Sequence, residues 1–419
     1  MDCSIGIMAY NEEANIANAI ESILAQKVVT SEIAELIVVA SGCEDQTARI
    51  VADHARHDPR VKLIEQHRRE GKASAINLFL RAGTSPVLAL ISADVVLEEG
   101  ALEVLLHHFE DPSVGMVGGH PVPVNSETTL LGHAVQLQWR LHDHIARRSP
   151  KLGEMVAFRS VVSSIPLDTA VDELSVQAIV AQLGYRLVYE PAAVVYNRGP
   201  ATVADFLTQR RRIHAGHLAV RRRDGYPAPT LSILAVAAAL LRSSRAFATP
   251  RAVLWTLVAA GLEAAARALG RYDALRHRSP HVWKMVKTTK QRIADDMSGY
   301  GHQTVVVLQI VNFRRRTLEL GLRASRRLTR DVANQAKGTL GAAIAVIEES
   351  GTVVAQLACE REEAERAASQ LVARLEGEAL LDAPITFSCG VIALDQAGAR
   401  RTSSVQVPAL DTAATPKAS

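Results

Sequence analysis

Six polar clusters interrupt the first half of this chain, and each follows an apolar run or opens a helical pattern. Ala9-Tyr10-Asn11-Glu12-Glu13, Ser41-Gly42-Cys43-Glu44-Asp45-Gln46-Thr47 and Ser92-Ala93-Asp94 follow apolar runs. Gly71-Lys72-Ala73-Ser74-Ala75-Ile76-Asn77 opens a helix, Val171-Asp172-Glu173-Leu174 carries an acidic pair, and Gln209-Arg210-Arg211-Arg212-Ile213 is a basic run. Lys72 at a helix start favours negative charge through both its ammonium and the helix N-terminus. A guanidinium such as that of Arg212 offers a planar donor fork that fits oxyanions. Plainer readings stand beside these. Glu12 and Glu13, like Asp172 and Glu173, suit a helix's first turn, Asp45 suits a helix cap, and Asp94 suits a turn. Lys72 and the arginines suit a solvated or lipid-facing surface.

The elements that must position these clusters alternate regularly. Ser4–Met8, Leu36–Ala40, Val61–Glu65 and Pro86–Ile91 read as strands, with helical patterns near 15–24, 46–57 and 72–81 between them. Continuous Val/Ile/Leu strands joined through helices predict an α/β domain with a mostly parallel, Rossmann-like sheet. Ligands of such sheets bind beyond the carboxyl ends of the strands, where the clusters fall.

In this order and spacing the six motifs resemble the family 2 glycosyltransferases of the GT-A fold, over roughly residues 3–225. The resemblance implies a nucleotide-diphosphate sugar as donor, with Glu12, Ser41, Asp45, Lys72 and Asp94 as donor-binding residues. Asp94 looks like the surviving acid of the family's DxD motif, holding Mn²⁺ or Mg²⁺ on the diphosphate. Ser92 replaces the motif's first acid, so a single carboxylate would anchor the metal, with no second one in position to replace it. Asp172 and Glu173 resemble the family's acidic pair, one member of which is the general base of an inverting displacement. Glu173 aligns with the usual base, although aspartate is commoner there. Gln209 and Arg212 resemble the QxxRW motif, with Ile213 in place of tryptophan, and would meet the diphosphate or the acceptor. His214 and His217 lie within reach of the same cleft on that helix.

Beyond residue 225 the character changes. Leu231–Leu241 and Ala252–Leu262 are apolar helical stretches of about eleven residues, half of what a membrane span requires. Punctuated by Arg242, Arg245, Arg251 and Arg267, they predict peripheral attachment to an anionic membrane surface. Residues 301–395 follow an α+β order and resemble a GGDEF domain. Gln309, Val311 and Thr352 stand where carboxylates would hold metal against a triphosphate, so this copy is expected to be catalytically dead. The expected organisation is 1–225 for the transferase, 226–300 for the helical region, 301–395 for the GGDEF-like domain and 396–419 for a disordered tail.

Composition bounds the alternatives. The 419 residues predict two or three domains, and 48% hydrophobic content excludes wholesale disorder. A net charge of +3 with 4% aromatic residues gives no case for nucleic acid. The four cysteines form no CxxC pair, the N-terminus lacks a signal-peptide pattern, and no run of 18–20 apolar residues marks a spanning helix. What the resemblance implies within these bounds is an inverting, metal-dependent enzyme at the cytoplasmic face of a membrane, transferring to a lipid-linked or polymeric glycan. The rival reading is a membrane-bound nucleotide sensor or scaffold without turnover.

Overall fold

A computed structural model describes residues 2–29, 31–276, 287–291, 293, 303–311, 313, 322–340, 343–347, 351–358, 361–377 and 386–394. The chain divides into two compact units, Met1–Asp296 and Met297–Ser419.

The first unit begins with β1 (Asp2–Ala9), α1 (Ile16–Leu24), β2 (Glu32–Ser41), α2 (Thr47–His57), β3 (Val61–Gln66), α3 (Lys72–Ala82) and β4 (Val87–Ser92). It continues through β5 (Val95–Leu97), α4 (Ala101–His107), β6 (Val114–Pro123), α5 (Leu130–Ala146), β7 (Met155–Arg159), α6 (Asp172–Gln182) and β8 (Arg186–Asn197). Three helices follow: α7 (Val203–Asp224), α8 (Ile233–Arg242) and α9 (Pro250–Leu275). The sheet order is β3-β2-β1-β4-β7-β6-β8-β5.

The strands β3, β2, β1 and β4 run parallel, as their continuous apolar sequences require. Alternate residues feed two cores. Cys3, Ile5 and Ile7 of β1 join α1 and α4 on one face, while Ile37 and Val39 of β2 and Leu88 of β4 join α3 on the other. Strand β7 then enters antiparallel between β4 and β6, with Ile91 opposite Met155. This reversal decides much of the site. The chain order switches direction between β1 and β4, which opens a crevice beyond their carboxyl ends.

The helical stretch after residue 225 is built into this unit. Helix α9 is capped by Thr249, whose hydroxyl accepts from the Ala252 N–H at 3.1 Å, and begins with Pro250, whose missing N–H costs nothing there. Its 26 residues exceed the eleven expected, and an 18-residue window averages 1.5 in mean hydropathy. By length and composition α9 is therefore long enough to cross a membrane, against the expectation that no helix is. Its second half is nevertheless tied to α7. Arg210 grips Glu263 through two bonds of 2.8 and 2.9 Å, and Arg211 grips Asp273 at 2.5 and 2.6 Å. At Gly270 a side chain would lie 2.5 Å from the Arg211 carbonyl oxygen, so glycine permits this close crossing.

The second unit holds β9 (Gln303–Ile310), α10 (Leu322–Leu340), β10 (Ala343–Ile347), β11 (Thr352–Ala358), α11 (Arg361–Gly377) and β12 (Phe387–Leu394). Its antiparallel sheet has the order β10-β11-β9-β12. Val306, Leu308 and Ile310 alternate inward against Leu328, Val332, Ala368 and Leu371 of the two helices. Gln309, on the other face of the central strand, is exposed and lies between Thr352 and Ser388. The expected tail, 396–419, lies outside the described residues.

Candidate active site

The crevice beyond β1 and β4 opens into a cavity of about 720 Å³. Seven of the nine expected site residues line it: Glu12, Ser41, Lys72, Asp94, Glu173, Gln209 and Arg212. Asp45 and Asp172 do not, and each has a structural reason.

Asp45 is consumed at the start of α2. Its Oδ1 accepts from the Thr47 N–H and hydroxyl at 3.0 and 2.6 Å, and its Oδ2 accepts from the Glu13 N–H at 3.1 Å. Thr47 Oγ1 in turn accepts from the Glu12 N–H at 2.8 Å, so Asp45 holds the loop that carries Glu12. Ser41, at the end of β2, lines the wall with its buried Oγ unbonded among the described residues.

Glu12 is 7% exposed, and its carboxyl is pushed up to about 8. Burial is the main cause and nearby Asp94 adds to it, while Lys290 opposes both. Lys290 donates to the Glu12 carboxylate and, at 2.7 Å, to the Tyr10 carbonyl. The Asn15 side chain donates to the Lys290 carbonyl at 3.2 Å, fastening this segment to the loop after β1.

Lys72 is the first residue of α3, reached through Gly71 at φ 95°, a left-handed turn that disfavours other residues. Its Nζ donates to Glu173 Oε1 at 2.5 Å, across 101 residues of sequence. Burial works against the ammonium, but Glu173, Asp172 and Glu154 outweigh it and hold Lys72 above the usual lysine range. The same pair acts on Glu173. Burial would raise it, yet Lys72 keeps it ionised and well below the usual glutamate range. Asp172 is fully buried, its oxygens have no partner among the described residues, and burial drives it upward towards the neutral acid.

On α7, Gln209, Arg212 and Ile213 share one face and line the cavity. Burial lowers Arg212 to about 10, against the combined pull of Asp172, Glu173, Glu154 and Asp94. His217 also lines the cavity and is kept neutral mainly by burial; His214 does not reach it.

Two residues went unnoticed in the sequence, Lys151 and Glu154. Both line the cavity. Burial lowers Lys151 despite Glu173 and Glu154 nearby, while burial, Asp94 and Glu173 raise Glu154. Glu154 is a second carboxylate on the cavity wall near Asp94, where only Asp94 was expected. It precedes β7, so its place next to Ser92 depends on that strand running backwards. No motif marks it.

Among the described residues no three His, Cys, Asp or Glu side chains form a metal-binding group. The hard carboxylate oxygens of Asp94, with those of Glu154 close by, fit a divalent cation that takes the rest of its shell from phosphate and water.

Residues 4–163 match the family described as Glycosyl transferase family 2, and residues 87–270 match Glycosyl transferase family group 2. Both matched stretches lie within the first unit. The chain is 24% identical over 231 residues to poly-β-1,6-N-acetyl-D-glucosamine synthase of Staphylococcus aureus, covering 52% of this chain and 55% of that protein. The Staphylococcus epidermidis synthase is 24% identical over 235 residues, 53% of this chain and 56% of its own length. The chain therefore spans about half the length of the curated relatives it matches. Among solved structures, a mannosyltransferase from Pyrobaculum calidifontis in complex with GDP-Man and Mn²⁺ superposes with a TM-score of 0.44 at 25% identity, covering 67% of this chain and 81% of its own. Glucosyl-3-phosphoglycerate synthase from Mycobacterium tuberculosis gives a TM-score of 0.39 at 18% identity, over 54% of this chain and 80% of its own.

Proposed function

We propose that the first unit is an inverting glycosyltransferase, moving a sugar from a nucleotide-diphosphate donor to a polymeric or lipid-linked glycan. The observation that carries this reading is the meeting of Glu173, Lys72, Asp94 and Arg212 in one cavity, from three helices and the turn between β4 and β5. Asp94 would hold Mn²⁺ or Mg²⁺, which when bound neutralises charge on the leaving diphosphate. Lys72 and Arg212 are cations facing the same space and suit the phosphates. Glu173 is the base, because it borders the cavity and stays ionised, whereas Asp172 lies behind it without reaching the wall. It would take the acceptor hydroxyl's proton as that oxygen attacks the anomeric carbon from the face opposite the diphosphate.

The cavity's other end supports the lipid-linked alternative. Ile233, Val236, Ala237 and Leu240 present one face of α8 to it, and Ala259 and Ala260 of α9 join them. Outward, Leu234 and Leu241 are 83% and 80% exposed, which suits attachment at the inner face of a cell membrane. The second unit is read as a GGDEF-like fold without the catalytic carboxylates, steadying or gating the transferase.

The test is release of nucleoside diphosphate from a panel of nucleotide-sugars with Mn²⁺ and a glycan acceptor. Turnover with at least one donor, abolished in Asp94→Asn, is expected. Donor binding without any turnover would favour the sensor reading instead.

A further inference from the structure

We infer that Glu154 supplies, from the neighbouring antiparallel strand, the second metal-facing carboxylate that position 92 lacks. This rests on the donor-site reading above and adds to it a residue that no motif contains.

The placement follows from the ladder. Strand β7 pairs antiparallel with β4, and Ile91 faces Met155. One step further the Ser92 N–H donates to the Glu154 carbonyl at 2.9 Å, while Glu154 itself, at φ 61°, turns out of the ladder. Ser92, Asp94 and Glu154 all line the cavity, so a carboxylate mounted on residue 154 borders the same space as one on residue 92 would. The Ser92 side chain and Asp94, two residues beyond it, are both near enough to act on the Glu154 carboxylate.

A second observation points to a missing ligand at the same place. Glu12 Oε2 belongs to a residue 7% exposed, borders the same cavity and has no partner among the described residues. Asp94 acts on this carboxyl as well. Glu12, Asp94 and Glu154 thus border one cavity; Lys290 meets one oxygen of Glu12 and leaves Oε2 open to a cation. Lys72, Lys151 and Arg212 line the same cavity, near enough to Glu173 for their charges to act on one another.

The experiment measures Mn²⁺ affinity of the full chain by the loss of the free aqua-ion EPR signal, with UDP and separately with GDP present. Glu154→Gln keeps the shape of the side chain and should weaken Mn²⁺ binding about tenfold or more, at least the effect of disturbing a ligand's support. Ser92→Asp in that background should restore most of it, which a merely structural role for Glu154 would not allow. Affinity within twofold of the parent in Glu154→Gln, or no recovery in the double variant, overturns the inference. Asp94→Asn separates the two readings: loss of Mn²⁺ there, with retention in Glu154→Gln, removes only this inference. A parent protein that holds no Mn²⁺ with either nucleotide removes both.

Discussion

Glu173 and Asp172 are neighbours in sequence with opposite fates, and the difference is a matter of partners. Glu173 leans on Lys72, whereas Asp172 is sealed in with no donor among the described residues. Removing a general base typically costs about 10²–10⁴-fold in rate. Glu173→Gln should lower turnover by that order and leave donor affinity nearly intact. Asp172→Asn should cost far less, because its acid already tends to the neutral form; the reverse ranking would exchange their roles. The ion pair also sets a pH dependence. A base works only when ionised, and Lys72 depresses Glu173, so activity should persist on the acid side down to pH values below the usual glutamate range. Lys72→Met removes that depression, leaves burial to act, and should move the acid limb of kcat at saturating donor upwards by one unit or more. An unmoved limb would mean that Glu173 is not the titrating base.

Helices α7 and α9 form the brace behind the cavity, and one of its clips is Glu263, held by Arg210 of α7 and Arg267 of its own helix. Burial alone would raise Glu263, but the two arginines carry it down to about 2. A carboxylate so depressed stabilises the fold at pH values above its unfolded range, near 4.3, and loses that contribution as pH falls towards 2. Glu263→Gln should cost about 2–3 kcal/mol near neutral pH, since two guanidinium groups lose their counter-charge in a mostly buried place. Thermal unfolding at pH 7 and at pH 3 checks both magnitude and sign: the deficit should shrink at the lower pH. Helix α8 contributes differently. Leu234 and Leu241 hold no core together, so Leu234→Glu with Leu241→Glu should reduce binding to phosphatidylglycerol vesicles several-fold without lowering Tm. Equal binding by the variant, or retention that resists alkaline carbonate and yields only to detergent, would speak for a span instead. The exposed leucines favour the surface, and the ion-paired second half of α9 does too.

At the scale of the whole molecule, the two units differ in what they can do with a nucleotide. The first surrounds its cavity with acids and cations; the second presents Gln309 between Thr352 and Ser388, where the proposed GGDEF-like reading would require metal carboxylates. Joining two nucleoside triphosphates demands neutralised phosphate charge. The full chain incubated with GTP and Mg²⁺ should therefore produce no cyclic dinucleotide. Any steady accumulation of cyclic-di-GMP would overturn this. The hydrophobic face formed by Val306, Leu308 and Ile310 is buried against the unit's helices and needs no metal for that.

How much of this was legible in the sequence depended on the direction of the strands. Glu12, Ser41 and Asp94 follow β1, β2 and β4, which run parallel, and Lys72 opens the helix before β4; a polar residue after an apolar run in such a sheet is already at the ligand-binding edge. The apolar runs alone therefore determined the sheet's parallel half, its two buried faces and the places of Glu12, Lys72 and Asp94 at the cavity. Asp45 also follows a strand, but its fate turned on whether its oxygens met the Thr47 and Glu13 N–H groups or the cavity, which local sequence does not decide. Glu154 and Lys151 precede β7, and reading along the chain puts them at the wrong end of a strand. Only the antiparallel entry of β7 beside β4 brings them across. Likewise, the Lys72–Glu173 pair joins residues 101 apart, and the second half of α9 became part of the transferase unit through Arg210, Arg211 and the close crossing at Gly270. Periodicity records which face of an element is buried. Which charges share one low-dielectric space is settled by packing between elements distant in sequence, and that decides which acid stays ionised.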